Sequence, residues 1–304
     1  MTLQVGTGLP AAMGTAGSCS TPSVAQAARA VEQHGFESLW AADVLIGDGT
    51  PSFEPVLELA AAASVTEHVR IGTSVLAAPA RPLPWLAVQA ATMQHLSGGR
   101  FLLGLGIGGF PGSPFWQNLG IVPRGRGRAL DGVLERLPRL LKGEPVTLDP
   151  DVPPLLIAPS ASMPTVLLGG SARAFDRILT YGTDWFPSLV APQDLAPSIA
   201  RLHALADGRG VARPRVTVGG HCVIGEDDGA RTAYDALVAS LVEEHGMPPE
   251  VAARVPMHAR TPLELAEIFA AYEAAGADRV VTGADNAGWF EQLEFLAEAS
   301  SHLR

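Results

Sequence analysis

The most suggestive chemical pattern in this sequence is a run of glycines, Gly104, Gly106, Gly108 and Gly109, interrupted by Leu105 and Ile107. It matches G-x-G-x-x-G, the fingerprint of dinucleotide-binding folds. That fingerprint needs a helix to begin at its third glycine, so that the helix N-terminus meets a pyrophosphate. Two prolines follow within 110–114 and would deny such a helix its hydrogen bonds. We therefore predict that the glycines let a flat ligand lie against bare backbone at a strand end. The alternative is that they only permit tight packing of helix on sheet.

Asp43 is the strongest candidate for a catalytic side chain. It is a carboxylate placed directly after a predicted strand over 37–42. At a strand end it could face a bound ligand. It could equally have a structural role, as a helix cap or in a loop salt bridge, and the sequence leaves both roles open.

Histidines supply little further chemistry. The spacings H-x-H and H-E-x-x-H, which bind catalytic metals, do not occur among the eight histidines of the sequence. Four stand at predicted helix C-termini, where an imidazolium complements the helix dipole: His34, His68, His95 and His245. His203 lies within a predicted helix and His302 near the chain end. This leaves His221 and His258 as site candidates, although a lone strand histidine is more often a core residue.

The residues that several other kinds of active site require are also missing from the sequence. The sequence has no G-x-S-x-G elbow, so a serine hydrolase is not indicated. Its only lysine, Lys142, follows Arg136 and Arg139 at a predicted helix end, where a solvated charge is the simpler interpretation. Schiff-base chemistry and a phosphate-loop lysine are therefore not indicated either.

The length, charge and cysteine content of the chain exclude several classes of protein. The chain has 304 residues, 47% apolar and 17% charged, which suits one large α/β domain over 1–304. The net charge is −10 and basic residues cluster only over 124–128, so nucleic acid is not expected as a partner. No apolar run approaches the roughly 20 residues of a membrane helix. Cys19 and Cys222 are too few for a disulfide scaffold, and the first residues do not read as a signal peptide. Together these features predict a cytoplasmic protein.

Residues 69–109 show which elements position the glycines. Apolar runs over 70–76 and 100–109 have the character of buried strands. Between them, Pro84 opens a helical pattern and 97–99 (Ser-Gly-Gly) closes it. Two strands joined by a helix should be parallel with a right-handed crossover. Strands this apolar belong to a sheet that is covered on both faces.

The same unit recurs along the chain. Further strands are predicted over 3–8, 37–42, 165–169, 184–189, 215–224 and 278–282, and further helices over 21–34, 51–68, 127–142, 171–181, 193–207, 228–244, from 262 onward and at the C-terminus. Three helix-to-strand joints, at 35–39, 182–186 and 276–280, share glycine, any residue, an acid and then an apolar strand. Eight strands in repeated βα units predict a closed (β/α)8 TIM barrel of the α/β class, with a doubly wound sheet as the alternative.

Ligands of such a barrel bind at the C-terminal ends of its strands. The prediction therefore gathers these residues round one mouth: Thr7, Asp43, Ser74, Val75, Gly106, Ile107, Gly108, Gly109, Gly169, Gly170, Ser171, Pro187, Ser188, His221 and Thr282. Residues 169–171 also precede a predicted helix, whose first backbone amides could bind an anionic group.

Five segments of the chain resemble the luciferase-like monooxygenase superfamily, which includes oxidoreductases that depend on the deazaflavin coenzyme F420. They are GFESLWAAD (35–43), ASVTEHVRIGTSVL (63–76), LSGGRFLLGLGIGG (96–109), VLLGGSARAFDRI (166–178) and GTDWF (182–186). They span most of the chain in the family's order. The resemblance implies a (β/α)8 barrel that holds a flavin or deazaflavin ring at the strands' C-terminal ends. It also implies a non-proline cis peptide between Ser74 and Val75, behind the ring.

The chain also departs from the family's patterns. Some deazaflavin-dependent dehydrogenases have a histidine at the position of Val44 and an acid at that of Gly109, so sugar-phosphate dehydrogenation is not expected here. Bacterial luciferase has an arginine for the flavin phosphate where this chain has Ile107, which argues against tight FMN binding of that kind. An arginine within 124–128 could replace it, although arginines at a helix start are more often solvated.

The residues and the resemblance together predict an oxidoreductase that moves a hydride between reduced coenzyme F420 and a small organic substrate, with FMN as the alternative cofactor. The predicted cofactor-binding residues are Ser74, Val75, Gly106, Ile107, Gly108, Gly109, Gly169, Gly170 and Ser171, and the predicted catalytic residue is Asp43. Two alternatives stay open: a two-component monooxygenase using reduced FMN and oxygen, and a barrel that binds a ligand without turnover. The apolar face over 54–64 could pair two subunits in a homodimer, or could equally pack on the barrel.

Overall fold

In a computed structural model of the chain, which describes residues 2–10, 22–44, 52–109, 114–122, 124–284 and 286–303, eight parallel strands form a barrel. They are β1 (Gln4–Gly8), β2 (Ser38–Ala41), β3 (Arg70–Thr73), β4 (Phe101–Gly106), β5 (Thr165–Gly169), β6 (Asp184–Phe186), β7 (Thr217–Ile224) and β8 (Arg279–Ala284). Hydrogen-bonded pairing runs in the order β6-β5-β4-β3-β2-β1-β8-β7. The parallel bridges Trp185–Val216 and Ser188–Gly219 join the regions of β6 and β7 and close the ring. The predicted (β/α)8 barrel is confirmed.

Helices cover the outside of the barrel. They are α1 (Val24–Gln33), α2 (Pro55–Ala63), α3 (Leu83–Leu96), α4 (Pro114–Asn118), α5 (Arg126–Leu141), α6 (Phe175–Tyr181), α7 (Pro192–Arg209), α8 (Asp228–Glu243), α9 (Pro249–Ala252), α10 (Pro262–Ala274) and α11 (Trp289–Ser301). Single 3-10 turns occupy Ala78–Ala80 and Ala172–Ala174. Two short strands, Leu76–Ala77 and Met257–Ala259, pair in parallel with the C-terminal parts of β4 and β7. Within the described ranges, none of these helices has the length and apolar character needed to cross a membrane.

Most of the core lies between the sheet and the helices. Outward-facing strand residues such as Leu39, Ile71, Leu103 and Val280 are fully buried there. Burying one such side chain stabilises the fold by about 1.5–3 kcal/mol. Because successive side chains of a strand point to opposite faces, the residues between these point into the barrel. That inner face forms the candidate site.

The three predicted helix-to-strand joints have a common geometry. Gly35, Gly182 and Gly276 all have positive φ, at 75°, 64° and 98°, the left-handed conformation that ends a helix. The acid two residues later accepts hydrogen bonds at the N-terminal end of the barrel: Glu37 from the Arg279 side chain (2.6 Å), Asp184 from the Arg215 N–H (2.9 Å) and Asp278 from the Val216 N–H (2.8 Å). The recurring acid therefore ties one strand start to its neighbour.

Arg279 closes the N-terminal end of the barrel. Its guanidinium donates to both Glu37 carboxylate oxygens (2.6 and 2.7 Å), to Thr217 Oγ1 (3.0 Å) and to Gln4 Oε1 (3.0 Å). It also lies 5.8 Å from the ring centroid of Trp40. Burial alone would raise the pKa of Glu37, but the hydrogen bonds and charge of Arg279 outweigh it and hold that pKa below its ordinary value.

Several predicted element boundaries were wrong. Helix α1 begins at Val24, where Ser23 is the N-cap and Gln26 completes a capping box; the predicted cap, Thr21, lies outside the described residues. Helix α2 was predicted over 51–68, but it ends at Ala63. Residue 51 lies outside the described residues. The strand Met257–Ala259 was not predicted, since three residues are too few to show an alternating pattern.

Candidate active site

The mouth of the barrel has an aromatic floor. Trp40 and Phe186 meet edge to face, with their ring centroids 5.2 Å apart. They form one buried cluster with Leu102, Leu167 and Val281, all on inward-facing positions. The floor separates the charged N-terminal end of the barrel from the C-terminal mouth.

The predicted cis peptide between Ser74 and Val75 is present. It interrupts the third strand, because β3 ends at Thr73 and pairing with β4 resumes at Leu76. The Ser74 N–H donates to the Ala41 carbonyl oxygen (2.9 Å), so the bulge stays attached to β2. Val75 is half-buried and packs against the inner cluster from above.

Glycines on the neighbouring strands make room for Val75. A Cβ at Gly106 would lie 2.9 Å from Val75 Cγ2, and one at Gly169 would lie 2.8 Å from the same atom. At Gly104 a Cβ would collide with the Thr73 carbonyl oxygen. From the sequence, Gly106 was predicted to let a ligand lie against bare backbone, and Gly169 to offer a backbone donor to an anionic group. The structure adds a reason that the sequence did not reveal: these glycines seat the valine that backs the mouth.

The loop after β4 turns over the mouth. Ile107 is 43% exposed, and Gly108 has a φ of 77° with the Trp116 ring where a Cβ would lie. The Trp116 indole N–H donates to the Gly109 carbonyl oxygen (3.1 Å). A Cβ at Gly109 would meet nothing within 4 Å among the described residues. Gly109, the third glycine of the fingerprint, is not helical, which agrees with the rejection of a dinucleotide-binding site; residues 110–113 lie outside the described ranges.

Arg126 stabilises the loop that follows β4. Its Nη1 donates to the carbonyl oxygens of Gly108 (3.1 Å) and Gly109 (3.4 Å), and its guanidinium lies 4.7 Å from the Trp116 ring centroid. Burial lowers its pKa. Of the arginines over 124–128, Arg126 is thus buried against backbone and indole, whereas Arg124 and Arg128 are exposed.

The segment Gly169–Ser171 forms the side of the mouth next to this loop. Gly170 has a φ of 134°, and its carbonyl oxygen accepts a hydrogen bond from the Trp185 indole (2.8 Å). Ser171 caps the turn Ala172–Ala174, because its Oγ accepts from the Arg173 N–H (3.5 Å). Gly170 and Ser171 are exposed. A ligand in the mouth could therefore reach this backbone.

Asp43 lies at the predicted strand end, but its carboxylate does not face the mouth. The side chain is fully buried and accepts from Arg81 Nη1 (2.6 Å), Arg81 Nη2 (3.1 Å) and the Ala77 N–H (2.7 Å). Arg81 also donates to Glu54 (3.2 Å). Burial lowers the Arg81 pKa, but the two carboxylates outweigh this and leave it raised. The loop salt bridge that the sequence left open as the alternative is thus present, and it fixes the chain just after the Ser74–Val75 bulge. The catalytic role of Asp43 stays a prediction.

The two histidines that the sequence singled out have different surroundings. His221 is exposed on β7, two residues beyond Gly219, whose Cβ would point at Phe186 of the inner cluster. His258 lies on the short strand Met257–Ala259, with Nε2 2.9 Å from the Gly225 carbonyl oxygen and its ring beside Tyr234. His221 therefore shares the inner face with the floor residues. His258 lies on the neighbouring short strand and contacts its local loop.

Comparisons with known proteins agree with this architecture. The sequence model of the family described as luciferase-like monooxygenase matches residues 5–261. A 4-hydroxyprotoasukamycin monooxygenase from Streptomyces nodosus subsp. asukaensis is 40% identical over 119 residues, 38% of this chain and 31% of that protein. An F420-dependent glucose-6-phosphate dehydrogenase from Beutenbergia cavernae is 36% identical over 185 residues, 53% of this chain and 54% of that protein. The chain thus spans between a third and about half of these curated relatives.

Solved structures match over the whole length of the chain. One of them is an F420-dependent secondary alcohol dehydrogenase in complex with an F420-acetone adduct, with a TM-score of 0.82 and 18% identity over 100% of both chains. At this identity the match establishes the shared fold.

Proposed function

This chain belongs to the luciferase-like monooxygenase family, a family of oxidoreductases, and we propose that it transfers a hydride between reduced coenzyme F420 and a small organic substrate. The observation that carries the proposal is the platform that the Val75 side chain, seated by Gly106 and Gly169, makes above the aromatic floor. A bound deazaflavin would supply the hydride chemistry, and the protein would supply orientation and a water-poor slot.

The residues present fit a planar ring. Gly8, Gly106 and Gly169 place no side chain over the floor, and the space in front of Gly109 is open among the described residues. The ring would lie against Val75 and this glycine-lined backbone. Both deazaflavin and flavin rings satisfy this condition, so the choice of cofactor depends on the tail.

Two features of the mouth favour F420 over FMN. Ile107 offers no charge to a flavin phosphate, and Arg126 is buried with its Nη1 on the Gly108 and Gly109 carbonyl oxygens. Coenzyme F420 has a phosphodiester and an acidic glutamate tail, which call for several donors spread along the mouth. The exposed backbone of Gly170 and Ser171, next to the exposed Arg173, meets that need.

The test is a fluorescence titration of the protein with coenzyme F420 and, in parallel, with FMN. We expect tighter binding of F420, and weaker binding as salt rises because the tail is anionic. Tighter binding of FMN would favour the two-component monooxygenase, the reaction type named for the Streptomyces relative. Binding of neither cofactor would favour a barrel without turnover.

A substitution tests whether F420 binds at the platform formed by Val75. In Gly106→Ala the new Cβ would press on Val75 Cγ2 at 2.9 Å and displace the platform, so F420 affinity should fall at least tenfold. Gly208→Ala is the matched control, because a Cβ there meets nothing within 4 Å among the described residues. Equal affinities in the two variants would contradict this assignment of the ring site.

A further inference from the structure

Hydride transfer to a carbonyl needs a proton donor, and the residues first considered do not provide one. The alcohol oxygen that forms must take a proton, usually from a positioned side chain. The Asp43 carboxylate is fully buried against Arg81 and Ala77, and Val44 and Gly109 have no titratable group. Among the described residues, a donor is therefore sought on the other strands.

The structure places an imidazole on the inner face of β7. A Cβ at Gly219 would lie 3.0 Å from Phe186 Cε2, so position 219 faces the floor. His221 is two residues nearer the C-terminal end and shares that face. Among the eight described residues of β7, His221 is the one that is exposed. Its neighbour in register on β8 is Gly283, which has no side chain to cover the ring.

Among the described strands and the described residues just after them, the other inward positions near the mouth have no titratable group. They are Gly8, Ala42, Ser74, Gly106, Gly169 and Ser188. Serine hydroxyls can orient a carbonyl oxygen by a hydrogen bond, but they exchange protons poorly at neutral pH. An imidazole gains and loses a proton near neutral pH.

We propose that His221 is the acid–base residue of the hydride transfer, an inference that rests on the function proposed above. In the reducing direction a bound reduced F420 would supply a hydride, with its two electrons, to the carbonyl carbon. The carbonyl π pair moves to the oxygen, which takes a proton from the imidazolium of His221. The proton released on oxidation of the cofactor returns to the imidazole through solvent. In the reverse direction the neutral imidazole takes the hydroxyl proton as hydride leaves the carbon. The substrate class is therefore a carbonyl compound or, in the reverse direction, the corresponding alcohol.

The experiment compares His221→Ala with His258→Gln, since His258 is the other strand histidine and is engaged with Gly225 outside this face. Single-turnover oxidation of reduced F420 by acetone and cyclohexanone gives the hydride-transfer rate. We expect a loss of about 10²–10⁴-fold in His221→Ala, as is usual for removal of a general acid, with the F420 dissociation constant changed less than about twofold. Added imidazole should restore part of the rate in His221→Ala. His258→Gln should behave as wild type.

A second measurement requires no turnover. Diethyl pyrocarbonate modifies exposed imidazoles, and mass spectrometry reports the extent at His221 and His258 with and without oxidised F420. We expect F420 to slow modification at His221 and not at His258. Unprotected His221 in the F420 complex, or full activity without rescue in His221→Ala, would overturn this role while leaving F420 chemistry in place. Failure of the wild type to bind F420 at all would overturn the proposed function itself.

Discussion

Replacement of Arg279 by methionine should destabilise the barrel more than the loss of any surface ion pair. Its side chain is 5% exposed and donates four hydrogen bonds, two of them to Glu37. Arg279→Met would leave the Glu37 carboxylate, itself only 22% exposed, without its cation. Breaking such a pair from one side costs about 3–5 kcal/mol. We expect a value near the lower end, about 3 kcal/mol, because Arg70 Nε remains 3.8 Å from Glu37.

The size of the effect can be measured by urea unfolding at neutral pH. For a domain of this length, about 3 kcal/mol corresponds to a fall in Tm of roughly 5 °C. The control is Arg139→Met, which removes an exposed pair with Glu144 (56% and 46% exposed) and should cost less than about 1 kcal/mol. Glu37→Gln combined with Arg279→Met should recover part of the loss, since no unpaired charge stays buried.

The sign of the pH dependence follows from the lowered pKa of Glu37. A depressed pKa in the folded state adds stability above the pKa of the unfolded chain, near 4.3, and that stability is lost as pH falls through the folded value. Arg279→Met removes this contribution, so wild type and variant should converge as pH falls below about 4.3. A gap that stays constant with pH, or a loss under about 1 kcal/mol at neutral pH, would refute the reasoning.

Two further predictions concern Asp43 and the oligomeric state. Asp43→Ala should lower stability by about 3 kcal/mol in urea unfolding, because it strips a buried cation, Arg81, of its main partner; unchanged stability with lost cofactor binding would instead restore the catalytic interpretation. We also propose a homodimer through α2 and α3, since Leu57 is 71% exposed, Trp85 is 63% exposed, and α3 contains no Asp, Glu, Lys or Arg. Trp85→Glu should shift sedimentation from dimer to monomer, and a monomeric wild type at the same concentration would exclude this interface.

The fold could be predicted from the sequence because its signals are local. Each βα unit shows its own apolar strand, its helical period and a closing glycine within a few tens of residues. The joint at Gly35 is visible in the sequence, and so is the acid that follows it. The partner of that acid is not visible, because Glu37 pairs with Arg279, 242 residues further along the chain.

The site was predicted less completely, because its contacts join residues that are distant in the sequence. The mouth residues could be gathered because a barrel brings all C-terminal strand ends together. What each side chain contacts there depends on neighbours from distant strands. Asp43 meets Arg81, 38 residues away, and Gly169 meets the Val75 side chain across two strands. Neither contact leaves a periodic signal in the sequence.

The electrostatics of the mouth limit what the barrel can bind beside the cofactor. The exposed side chains that follow β2 and β4 are apolar, with Val44 38% and Ile107 43% exposed. At the start of α11 the Trp289 indole donates to the Gly8 carbonyl oxygen (3.4 Å), which brings Phe290, 47% exposed, near the end of β1. An anionic substrate would lose its hydration against these apolar side chains, which is costly. An uncharged substrate would lose little, and His221 would then be the group that distinguishes its carbonyl end from its apolar end.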